Sequence, residues 1–198
     1  MNTIPDGPEA DGRQYSYRPS LMGAPWAFHL TSDGLAWENG RRSGHVLYRD
    51  TRRVRLTFKP VSLQTQRYVM EVWADGAPKL QAVSSSWKSM VEQERLDKSY
   101  SAFLAELHRR LAEAKAPVSF EQGIHPLRYW PGLALFGVVS LGLAFLVLRA
   151  LQSDAPAGAL FIAAFVGLFL WHGGNYFRRN RPGVYSPGAL PDLLVPKG

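Results

Sequence analysis

The sequence predicts an α+β head, an antiparallel curved sheet or barrel closed by one C-terminal amphipathic helix, followed by a transmembrane helical hairpin. Three observations predict it. Short alternating runs separated by Gly, Asn and Asp fill residues 26–88. The period then changes to that of a helix over about 97–115. Finally, residues 130–148 and 155–171 form two apolar runs without an ionisable side chain. The chain accordingly divides into a disordered N-terminal tail (1–16), the head (17–123), the hairpin (124–177, spans about 130–148 and 155–176) and a Pro-rich C-terminal tail (178–198).

The opening residues are polar and rich in Pro, Gly and acid, with no apolar core of a signal peptide, so they are expected to be mobile to about Tyr15. In the head, residues 26–31 read as a strand, and Ser32, Asp33 and Gly34 as a turn into a second strand at 35–38. Asn39 to Gly44 turn the chain into a third strand at 45–49. Residues 53–58 alternate strictly, Val54, Leu56 and Phe58 on one face and Arg53, Arg55 and Thr57 on the other. Strands at 67–73 and 79–84 flank an Asp75-Gly76 hairpin turn, and 85–87 suits one more short strand. Leu96, Tyr100, Phe103, Leu104, Leu107 and Leu111 share one helical face, Glu106, Arg109, Arg110 and Glu113 the other, and Pro117 stops the helix. One amphipathic helix suffices to cover the open end of a curved sheet.

On these residues (Leu30 to Trp37, Val46 to Asp50 leading into Arg53 to Leu56, and Tyr100 to Leu111 as final helix) the region from Trp26 to Ala116 resembles a bacterial pleckstrin-homology-like (PH-like) domain. The resemblance is one of element order. It implies a binding platform for lipid or protein, often in small membrane proteins, and no catalytic apparatus.

The chain has no cysteine, which excludes disulfides and thiolate zinc sites. Its five histidines, His29, His45, His108, His125 and His172, fall at no metal-ligand spacing. Gly40 to Gly44 lacks the Gly-Lys-Ser/Thr ending of a phosphate loop, and Ser84 to Trp87 is no nucleophile elbow. No cofactor is expected. The formal charge is +7 and the pI about 9.9. The densest basic cluster is Arg41, Arg42, Arg49, Arg52, Arg53, Arg55 and Lys59, to which Arg178, Arg179 and Arg181 add from beyond the hairpin. These residues are the candidate site for anionic lipid headgroups or a membrane protein complex. The competing reading is a solvated strand face. Nucleic acid is disfavoured, since no aromatic residues interleave with the cluster as a stacking platform requires.

The two apolar runs are hydrophobic around the whole helix, and Tyr129, Trp130, Trp171, Tyr176 and Phe177 sit at their ends, where amphipathic aromatics settle at a membrane interface. About twenty residues at about 1.5 Å each span about 30 Å, the hydrocarbon thickness. Lys115 and Arg128 precede the first run and Arg178, Arg179 and Arg181 follow the second, against Arg149 and Asp154 between them. That bias places both termini in the cytoplasm, with the protein multi-pass in the cell (inner) membrane. Ala159, Ala163 and Gly167 form a small-residue stripe, and Gly137, Ser140 and Ala144 another, suited to helix packing or to a homo-oligomer. In the tail, Pro187, Pro191 and Pro196 forbid a helix, yet Leu190, Leu193, Leu194 and Val195 are odd on a free linker, so the tail is expected to lie extended against the head or a partner. The function these features imply is a non-enzymatic adaptor or accessory subunit of a membrane assembly; the alternative is a small enzyme at the membrane surface.

Overall fold

The computed structural model describes residues 13–60, 66–88, 93–152 and 156–196. They fall into two compact units. One, the head, joins the chain up to Gln122 with the chain from Gly183 onward; the other is Gly123–Pro182.

The head begins with a four-stranded antiparallel meander: β1 (Gln14–Tyr17), β2 (Trp26–Leu30), β3 (Gly34–Glu38) and β4 (Ser43–Leu47). A 3-10 turn, Tyr48–Asp50, follows β4. The second meander is β5 (Thr51–Pro60), β6 (Gln66–Ala74) and β7 (Leu80–Val83). A separate hairpin pairs β8 (Ser85–Trp87) with β9 (Gln93–Arg95). Then come α1 (Asp97–Glu113) and β10 (Ser119–Gln122). After the second unit, β11 (Gly183–Val184) returns to the head, giving the five-stranded order β11-β10-β5-β6-β7.

Four expectations change here. The described strands form three sheets, and none closes into a barrel. The third strand stops at Leu47 because the 3-10 turn takes the chain out of the ladder before β5 begins. Nor is the sheet wholly antiparallel: β10 runs parallel to β5, pairing Phe120 with Val54 and Gln122 with Leu56. The head also starts earlier than residue 17. Gln14 to Tyr17 form β1 on β2, and Tyr15 is almost fully buried, so part of the stretch read as tail is an edge strand. Residues 1–12 of that tail lie outside the described residues.

The core follows the sequence periods. Val54, Leu56 and Phe58 of β5 are buried, as are Tyr100, Phe103, Leu104, Leu107 and Leu111 of α1. Phe103 stacks on Tyr15 at 5.5 Å and lies 5.9 Å from Phe28, so the helix covers the β1–β2 face. The hydroxyls of Tyr15 and Tyr17 donate to the carbonyls of Val83 and Gln81, tying the first meander to β7. Thr57, expected outside, is buried as well.

The tail from Gly183 is part of this unit. Leu194 is buried on the head as expected while Leu193 stays exposed, and the tail folds through turns instead of lying extended: Ala189 N donates to Ser186 O at 3.0 Å and Leu194 N to Pro191 O at 2.9 Å. Leu194 is 2% exposed, and Ser101 Oγ on α1 donates to Pro196 O at 3.3 Å.

In the second unit, α2 (Pro126–Gln152) and α3 (Pro156–Arg179) are both long and apolar enough to cross a membrane, with mean hydropathy of 2.3 and 1.4 in their most apolar windows. They present that apolar surface outward. Both exceed the spans read from sequence, and Arg178 and Arg179 form the last turn of α3. The seam between them is aromatic. Phe136 lies 5.1 Å from Phe169 and 5.3 Å from Phe177, Tyr129 lies 5.8 Å from Phe177, and the Phe136 ring occupies the place a side chain at Gly173 would need. The small-residue stripes do not make this seam. Ala163 is exposed, and nothing approaches within 4 Å of where a Cβ at Gly137 or Gly167 would stand. The side chain of Ala159 lies outside the described residues.

Leu194 and Leu193 test the docking of the tail. Truncating a buried Leu costs about 2–5 kcal/mol. Leu194→Ala is expected to lower the melting temperature of the detergent-solubilised full chain by several degrees, while Leu193→Ala, at a position 44% exposed, leaves it unchanged. Thermal melts followed by intrinsic fluorescence compare the two.

Candidate functional site

Alternation along β5 sends Arg53 and Arg55 to the face opposite the core. Antiparallel pairing sets Trp73 of β6 across from Arg53, and both guanidinium carbons lie 5.3 Å from its ring centre. Lys79 Nζ adds a third cation at 5.9 Å and pairs with Glu71 Oε1 at 3.0 Å. On the other flank, β10 brings Glu121 into register with Arg55. Arg55 donates to Glu121 Oε2 from Nε at 3.0 Å and from Nη2, and Arg53 Nε lies 3.4 Å from Oε1. Each carboxylate oxygen thus holds one arginine. The face is an alternating charge ladder over an indole, worth about 0–1 kcal/mol per exposed pair and about 0.5–1 for each cation–π contact.

The remaining basic residues divide by location. Arg52 Nε donates to Asp75 Oδ2 at 2.7 Å, and this hydrogen bond holds the Asp75 carboxyl below its ordinary range. Arg49 lies 3.9 Å from Asp50. Arg41 and Arg42 stand in the β3–β4 turn, their backbone amides donating to Asn39 Oδ1 at 3.3 and 2.9 Å while their side chains are exposed. Lys59 is exposed near the end of β5. No ion pair reaches Arg41, Arg42 or Lys59 among the described residues. Arg178, Arg179 and Arg181 belong to the second unit, where Arg179 Nε donates to Asn175 Oδ1 at 3.2 Å. The ten residues are therefore not one patch within the head. Arg52, Arg53 and Arg55 are paired internally, and Arg41, Arg42 and Lys59 carry no ion pair among the described residues.

A second feature was not visible in the residue pattern. His108 on α1 is buried against Phe120 of β10 and Tyr185 beyond β11, with ring centres 5.2 and 5.7 Å away. Its Nδ1 donates to Leu104 O at 2.7 Å, so Nε2 is the acceptor for the Tyr185 hydroxyl at 2.8 Å. Burial pushes the imidazole down to about 4 and the Tyr185 phenol up. A groove of about 550 Å³ opens beside them, lined by Ala105, Arg109, Ala112, Glu113, Pro187 and Leu190. Arg109 pairs with Glu106 and Glu113 along the helix, and its hydrogen bond, against some desolvation and with help from Arg110, brings Glu106 down to about 2. The histidine has both nitrogens engaged, which makes it a fastening for the tail. The only sequence signal for it was the apolar run near the C-terminus, which begins at Leu190, five residues beyond Tyr185.

No protein-family model, curated protein or solved structure matches this chain.

Because His108 folds neutral with its pKa lowered from 6.5 to about 4, the unfolded chain takes up a proton first as pH falls. The contribution of this one group to stability is expected to be fully present above pH 6.5 and to fall away towards pH 4, by on the order of 3 kcal/mol. His108→Gln is expected to flatten that slope in melts across the interval, and Tyr185→Phe to cost about 1 kcal/mol at neutral pH.

Proposed function

We propose that the chain is a two-span protein of the cell (inner) membrane that displays a PH-like head in the cytoplasm as a non-enzymatic binding platform for anionic lipid or a membrane partner. One observation carries the topology. β10 precedes the hairpin helices and β11 follows them, yet Glu121 pairs with Val184 and Gln122 with Gly183 in one sheet. A chain whose two ends meet in one folded unit must recross whatever it enters. The number of crossings is then even, as two apolar helices supply. The basic turn at Arg178, Arg179 and Arg181 favours the cytoplasmic side for that unit.

The PH-like reading is supported by element order: a four-stranded meander, a three-stranded meander and a helix whose apolar face covers the first. A platform role, as opposed to catalysis, is supported by the state of the groups a reaction would use. His108 is neutral and doubly bonded, and the carboxylates of Glu106, Glu121 and Asp75 are committed to arginines.

The absence of native cysteine makes the test direct. In right-side-out vesicles, Gln152→Cys is expected to react with a membrane-impermeant maleimide, while Ser20→Cys and Gly188→Cys react only after permeabilisation. Equal labelling of all three, or release of the chain by alkaline carbonate, would sink the topology.

A further inference from the structure

The loop between β1 and β2, residues 18–25, runs Arg18, Pro19, Ser20, Leu21, Met22, Gly23, Ala24, Pro25. Two prolines and a glycine keep it out of the sheets, and Gly23 N closes a turn on Ser20 O at 3.3 Å. That turn lifts two apolar side chains off the surface: Met22 is 101% exposed and Leu21 38%. Elsewhere among the head's described residues only Val184 and Leu193 are large, apolar and exposed. Burying nothing at the tip of a short loop is a standing cost to solubility that polar residues there would remove.

Cations flank this tip, with Glu38 the acid that ends β3 at the same turn. A Cβ at Gly40, where φ is +75°, would stand 2.6 Å from the Ala24 Cβ, so the β3–β4 turn abuts the loop and brings the exposed Arg41 and Arg42 beside it. Arg18 starts the loop, its N–H donating to Ser86 Oγ at 3.0 Å. This end of the head is also where the chain leaves for the helices. Gln122 ends β10 opposite Leu56, from which β5 runs on to Pro60 and β6 starts at Gln66. Arg67, next in β6, donates to Ser85 Oγ at 3.1 Å, one residue from the contact of Arg18. The links to α2 and α3, residues 123–125 and 180–182, are three residues each. The far end is different in charge: its turns carry Asp33, Asp50 and Asp75, with Arg52 already bound to Asp75.

We propose that this rim is a bilayer contact, in which Leu21 and Met22 enter the headgroup region and Arg18, Arg41 and Arg42 engage anionic lipid phosphates. An apolar tip flanked by unpaired arginines fits an interface that is greasy beneath and negative on top. A protein surface would bury the tip but would not answer to lipid charge. The inference rests on the membrane reading above and goes further by naming the surface and the ligand.

The test uses the full chain in vesicles of phosphatidylcholine alone or mixed with phosphatidylglycerol. An environment-sensitive fluorophore is placed singly at Met22→Cys, at Pro78→Cys on the far end, and at Leu141→Cys in α2. Position 22 is expected to be quenched by a lipid-borne quencher several-fold more than position 78, and most strongly in anionic vesicles. Arg41→Glu with Arg42→Glu is expected to weaken this by roughly fivefold for each arginine lost. Position 22 as wet as position 78 while 141 is quenched would overturn the rim and leave the hairpin standing. A dry position 22 insensitive to lipid charge, and equally dry in detergent, would overturn it in favour of a protein partner. An unquenched 141 would overturn both readings.

Discussion

The two segments of chain that make up the head are joined by a hydrogen-bonded pair of strands that belong to opposite sides of the hairpin. β11 is two residues long and would not persist alone; it exists because β10 offers an open edge and because Tyr185, next in the chain, reaches His108. The same return carries Leu194 into the core and sets Pro196 against Ser101. The unit therefore closes only after the second apolar helix has been made. Whatever the helices enter, the chain must come back to the side it left.

Charge is arranged by the same sheet. Taken along β5, Arg53 and Arg55 look like the floor of an anion site. In three dimensions Glu121, sixty-six residues from Arg55, fills the space between them, and Trp73 lies under both. Their charge is spent on fixing β10 to β5. Arg41 and Arg42, which carry no ion pair among the described residues, sit in a turn and not on a strand. A basic residue on a strand is thus a poorer guide to a binding surface than one on a loop, because the strand comes with a neighbour on each side.

The hairpin shows a parallel shift. Glycine and alanine stripes suggested a close small-residue seam, yet the helices meet through Phe136, Phe169, Phe177 and Tyr129, with Gly173 yielding room to Phe136. Aromatic rings gain more dispersion contact than a short smooth stripe. The stripe residues Ala163 and Gly167 face outward.

Periodicity alone determined the strands of both meanders apart from β1, the α1 helix with its buried face from Tyr100 to Leu111, and the two apolar helices, because each residue's burial within one regular element is written in its spacing. It also marked the tail's leucines as out of place on a linker. Only the tertiary structure decided that β1 is a strand, that β10 lies parallel to β5, that β11 exists, and which arginines are paired. A two-residue strand is too short to show a period, and pairing is a relation between segments that no local pattern contains. The sequence states which side of an element meets water; the fold states what meets the other side.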